Sequence, residues 1–158
     1  MANKITLIIK IRRAIISFIM KLPMSGYMRG RLATLYGVKH ICTSGKKRLF
    51  VGEGVCFDRV APQLIEIGNG TTIATGAIIL THQIDTELPP PGFKFKLGVV
   101  KIGHACFIGA NSIICNSVEI GDNSIVAAGA IVTKNIPPNE IWGGNPARFI
   151  KKRPSAKE

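Results

Sequence analysis

Between Ile102 and Val132 a β-branched aliphatic residue stands at every sixth position: Ile102, Ile108, Ile114, Ile120, Val126 and Val132. The residue after each is mostly small (Gly103, Gly109, Cys115, Gly121, Ala127, Thr133). So is the fourth residue after it, at Cys106, Ser112, Val118, Ser124 and Ala130. An earlier block keeps the frame with Ile67, Ile73 and Ile79, while Val51 and Phe57 are outlying copies. A six-residue period does not fit a continuous α-helix, whose apolar stripe repeats every 3.6 residues. It fits a chain that makes one short strand per hexad, points the aliphatic inward and turns a corner on small residues. Three hexads close a triangular coil, and coils stack as parallel strands about 4.8 Å apart. The expected fold is all-β, a parallel β-helix over residues 49–142.

The frame breaks once. After Ile79 the next aliphatic in register falls at Ile102, so 17 extra residues are inserted, and Pro89-Pro90-Pro91-Gly92 marks them as an extruded loop over about 82–100. A long loop on a coiled scaffold is a natural place for a site. His82 stands at its root, in Thr81-His82-Gln83-Ile84-Asp85. Imidazole is the side chain whose ordinary pKa suits proton transfer near neutrality, although a surface histidine that merely ends a strand has the same local pattern. His104 lies inside a regular hexad and His40 precedes the repeats, so both are expected to be structural or solvated.

The formal charge of +12 is unevenly placed. Residues 1–48 hold eleven Lys/Arg and no acid, residues 49–133 hold four basic and seven acidic groups, and residues 134–158 hold six basic and two acidic. Such charge suits nucleic acid, an anionic membrane or a phosphate-bearing ligand. The basic stretches carry little aromatic interleaving and no nucleic-acid motif, which makes nucleic acid the weakest of the three. In Ile5–Leu22 the polar residues Asn3, Thr6, Lys10, Arg13, Ser17 and Lys21 recur at helical spacing, and Pro23 ends the pattern. Lys10, Arg12 and Arg13 interrupt it too early for a membrane span. Residues 1–48 are therefore expected to be a basic amphipathic helical segment, packed on its own domain or a sister subunit, or lying on a membrane surface through residues 1–22. Cys42, Cys56, Cys106 and Cys115 form no CxxC pair, which argues against a metal site or disulfide scaffold and for free thiols in a reducing cytoplasm.

The stretch Ile102-Gly103 through Pro138, with Val132-Thr133-Lys134, Ile136-Pro137-Pro138 and Gly144-Asn145-Pro146-Ala147-Arg148, resembles the hexapeptide-repeat acyltransferases. The similarity is greatest to their maltose, galactoside and xenobiotic O-acetyltransferase branch and covers about residues 50–152. Phe107 and Asn116-Ser117 depart from the usual pattern. The resemblance implies a left-handed coil, a homotrimer, acetyl-CoA as co-substrate and His82 as the catalytic base. It also implies a cofactor site in which Ala110 and Ala128 offer backbone groups to the pantetheine arm and Thr133 and Lys134 hold the adenine end. Asn145 and Pro146 would shape that groove, and Arg148 and Lys151 would meet the phosphates in the C-terminal extension, 143–158. Lys157 and Arg153 are expected to be solvated, and Trp142 to cap the last coil. No metal is called for: γ-type carbonic anhydrases share the coil but use three histidines, two in an H-x4-H spacing that this chain lacks.

For the acceptor, the resemblance implies Asp58 as a residue that binds hydroxyls, while Asp85 and Glu87, which follow His82 in the loop, are placed to orient either the imidazole or a hydroxyl. The expected reaction is acetyl transfer to a hydroxyl of a sugar or surface-polysaccharide precursor, the acceptor being a small molecule or lipid-linked. The expected location is the cytoplasm, with contact at the inner face of the membrane. A xenobiotic acetyltransferase and a non-catalytic binding or assembly module are the alternatives.

Overall fold

A computed structural model describes residues 2–42, 48–86 and 94–154. Its body is a prism of three sheets. The first face stacks Lys39–Ile41, Ile65–Gly68, Val100–Ile102 and Glu119–Ile120. On the second lie Phe50–Val51, Thr72–Ile73, Phe107–Ile108, Ile125–Val126 and Glu140–Gly143. The third holds Cys56–Phe57, Ile78–Ile79, Ile113–Ile114 and Ile131–Val132. Every pairing within these stacks is parallel.

The register reproduces the hexad frame. Val51, Ile73, Ile108, Val126 and Trp142 face one another along the second sheet, and Phe57, Ile79, Ile114 and Val132 along the third. Apart from the half-buried Trp142, all are buried, so three aliphatic columns fill the prism. The residue four after each aliphatic also points inward: Thr71, Ala77, Cys106, Ser112, Ser124 and Ala130 are buried in the corners. The corner itself is made one residue earlier than expected. Ala105, Asn111, Ser117, Asn123 and Asn139 have φ between 53° and 61°, and Gly54, Gly70, Gly76 and Gly129 between 67° and 76°. That left-handed conformation is what turns the chain from one face to the next, and Gly and Asn tolerate it best. The small residue just after the aliphatic serves another purpose. A Cβ on Gly68 would lie 2.5 Å from the backbone of Gly103 in the next coil.

The first face opens with Lys39–Ile41, ahead of the expected start at residue 49, and His40 stacks on Ile67 in place of an aliphatic. Two helices precede it, α1 (Ala2–Ile19) and α2 (Gly26–Tyr36). Ser25 caps α2 by accepting from Met28 N–H at 3.3 Å. Gly26, Arg29, Gly30, Ala33 and Tyr36 form its buried stripe, and any Cβ on Gly30 would strike the carbonyl oxygen of Leu49. Small residues thus let α2 lie directly on the first coil and cover its open end. At the other end Arg148–Lys152 returns antiparallel along Glu140–Gly143. Trp142 closes its column and donates Nε1–H to Glu140 at 2.7 Å. Arg153 is tied down rather than solvated: its guanidinium donates to the carbonyls of Ala105 and Asn123, both at 3.3 Å.

Gly129 isolates the corner requirement, because an added Cβ there would meet nothing within 4 Å. Gly129→Val should therefore destabilise by about 1–2 kcal/mol through φ alone, and Gly129→Asn by clearly less, in urea unfolding.

Candidate functional site

The insertion leaves the corner after the third face and returns as a hairpin, His82–Ile84 pairing antiparallel with Phe95–Leu97. Gly98 N–H donates to the Thr81 carbonyl at 2.8 Å and closes its neck. His82 sits in that neck, half-buried, with the Phe95 ring edge-on at 4.8 Å between centroids. The Pro-rich tip and Glu87 lie outside the described residues.

Beneath His82, one coil earlier, is Asp58. The register pairs Phe57 with Ile79, which places Asp58 beside Leu80 and Thr81. Its carboxylate is buried and fully engaged. Oδ1 accepts from Val60 N–H at 2.8 Å, while Oδ2 accepts from Thr81 N–H and His82 Nδ1–H, each at 2.6 Å. Burial alone would raise this carboxyl's pKa, but the Thr81 and Val60 amides and the His82 ring outweigh it and hold it below the ordinary value. An ionised Asp58 fixes the Nδ1–H tautomer of His82 and leaves Nε2 as the basic atom. Asp58 was expected among acceptor-binding carboxylates. With a side chain only 1% exposed and both oxygens occupied, it orients the imidazole instead. The signal was present in the sequence: Asp58 fills a position that the repeat otherwise gives to small or apolar residues. Asp85 lies three residues past His82 in the hairpin, its amide donating to the Lys94 carbonyl at 2.8 Å.

The residues expected to hold the cofactor are spread over two corners of the prism and the returning strand. Ala110 and Ala128 stack at the corner between the second and third faces, where Gly129 N–H donates to the Ala110 carbonyl at 2.8 Å. The turn Gly144–Ala147 crowns the adjoining third face through Ile131, and its Asn145–Pro146 bond is cis. Arg148 and Lys151 lie on the returning strand, and Thr133 and Lys134 on the corner that follows the third face. Thr133 and Lys134 share His82's corner but lie two coils further on, about 10 Å along the axis at the strand spacing. Lys134, Arg148 and Lys151 are exposed and enter no ion pair among the described residues, so their charge is available to an anion.

The other chemistry-bearing groups have structural posts. His104 Nδ1 accepts from Asn69 N–H at 2.9 Å. Cys106 donates its thiol to the Gly121 carbonyl, and burial pushes its pKa up. Among the described residues no group of three His, Cys, Asp or Glu is placed to hold a metal.

Residues 99–134 match the family described as the hexapeptide repeat of succinyl-transferase. The chain is 32% identical over 126 residues to the Bacillus subtilis protein named Putative acetyltransferase YvoF, covering 76% of this chain and 70% of that one. It spans 51% and 43% of two further curated relatives. A maltose O-acetyltransferase from Clostridium difficile superposes with a TM-score of 0.62 at 26% identity, over 90% of this chain and 85% of the other. A galactoside acetyltransferase in complex with coenzyme A shares the fold, with a TM-score of 0.60 at 21% identity over 91% and 80% of the two chains.

Asp58→Asn retains one accepting atom for three donors, so it should destabilise by about 1–3 kcal/mol at neutral pH. The lowered carboxyl stabilises the fold fully above its ordinary value of 3.8 and loses that contribution as pH falls through the folded value. The stability gap between wild type and Asp58→Asn should accordingly be flat above pH 5 and shrink below about 3.8, read from urea unfolding across pH.

Proposed function

Because this chain belongs to the family of hexapeptide-repeat acetyltransferases, enzymes dependent on acetyl-CoA, we propose that it acetylates a hydroxyl of a sugar or surface-polysaccharide precursor. The observation that carries this reading is the His82–Asp58 pair at the root of the insertion. A buried carboxylate holds Nδ1–H and aims Nε2 outward, which is what deprotonation of an alcohol needs.

In the proposed reaction His82 Nε2 takes the proton of the acceptor hydroxyl as its oxygen attacks the thioester carbonyl. Backbone N–H groups stabilise the tetrahedral oxyanion. The carbon–sulfur bond then breaks, and the imidazolium returns its proton to the departing thiolate, so that protons balance and the free thiol of coenzyme A is released. Asp58 stabilises the imidazolium between these steps. Lys134, Arg148 and Lys151, exposed and in no ion pair among the described residues, fit a ligand that carries phosphates, and the edge lined by Ala110, Ala128, Asn145 and Pro146 fits its slender arm.

Within one chain Ala110 and Ala128 lie at a different corner of the prism from His82. A homotrimer, with the coils left-handed as is usual for this fold, brings the His82 corner of one subunit to the cofactor edge of the next. We place the enzyme in the cytoplasm, with its acceptor at the inner face of the membrane.

Release of free thiol from acetyl-CoA across a panel of sugars tests the reading. His82→Ala should lower turnover by about 100- to 10,000-fold, the usual share of a general base, while coenzyme A binding measured by calorimetry is unchanged. Turnover indifferent to His82 would refute the mechanism.

A further inference from the structure

The N-terminal helix is turned opposite to what a helix resting on a membrane by its basic side would show. Lys10, Arg13, Ser17 and Lys21 face a cavity of ≈ 700 Å³ between α1 and the first coil, while Leu7, Ile8, Ile11, Ile15 and Phe18 are more than half exposed. Arg59 and Tyr36 complete the polar wall, Ile9, Ala14 and Val60 add an apolar one, and Phe18 stands at the rim, lining the cavity while largely exposed. A smaller cavity of ≈ 210 Å³ shares Ser17, Lys21, Tyr36 and Arg59 and continues the groove toward Cys56. Contacts of α1 fix this orientation. Arg12 donates to the Leu35 carbonyl at 2.7 Å and Arg13 to Gln63 at 3.4 Å.

Four cations thus line one cavity, and among the described residues no carboxylate lines it. Like charges so gathered repel one another unless an anion joins them, and phosphate is the anion that several Lys and Arg groups hold best. The groove also abuts the catalytic turn. Arg59 and Val60 follow Asp58 directly, and the Val60 amide donates to Asp58 Oδ1. A ligand with its phosphate among these cations would have its next group beside the turn that orients His82.

The outward face says what else that ligand carries. Leu7 to Phe18 is an apolar row about 16 Å long at 1.5 Å per residue, the reach of a hydrocarbon chain rather than of a flat base. Among the described residues no helix is long and apolar enough to cross a membrane.

We propose that the groove between α1 and the first coil binds the phosphate of a lipid-linked glycosyl phosphate, with its chain along the outer face of α1 and its sugar at His82. This assignment rests on the acetyl-transfer reading above and names its acceptor class.

Calorimetric titration of the full chain tests binding independently of turnover, with farnesyl diphosphate, inorganic pyrophosphate and uridine diphosphate as probes. Farnesyl diphosphate should bind tightest, and raising the salt concentration should weaken it. Lys10→Gln with Lys21→Gln should weaken both farnesyl diphosphate and pyrophosphate by about tenfold or more, the loss expected for a charge-assisted contact. Coenzyme A binding should stay unchanged. Ile11→Gln with Ile15→Gln, at positions about half exposed, should abolish the advantage of farnesyl diphosphate over pyrophosphate and leave pyrophosphate itself unmoved. Uridine diphosphate binding as tightly as farnesyl diphosphate would overturn the lipid assignment. Absent farnesyl diphosphate binding, or affinity indifferent to both lysines, would overturn the site. Thiol release with neutral sugars in the wild type reads the acetyl-transfer reaction separately.

Discussion

Everything in this molecule depends on three columns of aliphatic side chains kept in register along the prism axis. Each strand contributes only two or so ladder residues, too few to be stable singly, and its stability comes from the neighbour above and below. The column Val51, Ile73, Ile108 and Val126 is completely buried. Losing register by one residue would turn each aliphatic outward and its exposed strand neighbour, such as Lys101, Phe107 or Glu119, inward. The left-handed corners are the cost of that arrangement, and Gly and Asn there keep it small.

The columns also decide where polar chemistry can occur. Because coils stack in fixed register, a residue's neighbour is found one coil away, at a spacing the repeat dictates. Asp58 and His82 are 24 residues apart in sequence, yet they meet because the 57–79 pairing aligns their corners. The carboxylate is buried where a small side chain would ordinarily sit, and two donors from the coil above, with the Val60 amide of its own turn, hold it ionised. A loop leaving at that corner therefore begins with a histidine already oriented.

Much of this was legible from the residues. The hexads identified the core positions and the three faces, and the break after Ile79 located the loop and its histidine. Legibility failed where the repeat is silent. Asp58 was visible but grouped with Asp85 and Glu87, since a carboxylate's burial depends on the coil above it. The residues at positive φ were hidden because Ala105 and Ser117 carry no helical or turn signature comparable to Gly. Lys39–Ile41 escaped the frame because His40 stands where an aliphatic was sought. The helical period of Ile5–Leu22 was plain, but period alone does not say which side faces the protein, and here the basic side does.

The two ends of the prism are built differently from its middle. At one end the small-residue stripe of α2 lies against Leu49 and Phe50, and at the other an antiparallel strand runs against the last parallel one, with Arg153 strapped back over the corner. Parallel stacking has no intrinsic stopping point, since each finished coil presents the same template as the last. Here the length of the stack is set by its terminators. Eighteen residues more or fewer in the middle would change the molecule's height and leave both closures as they are.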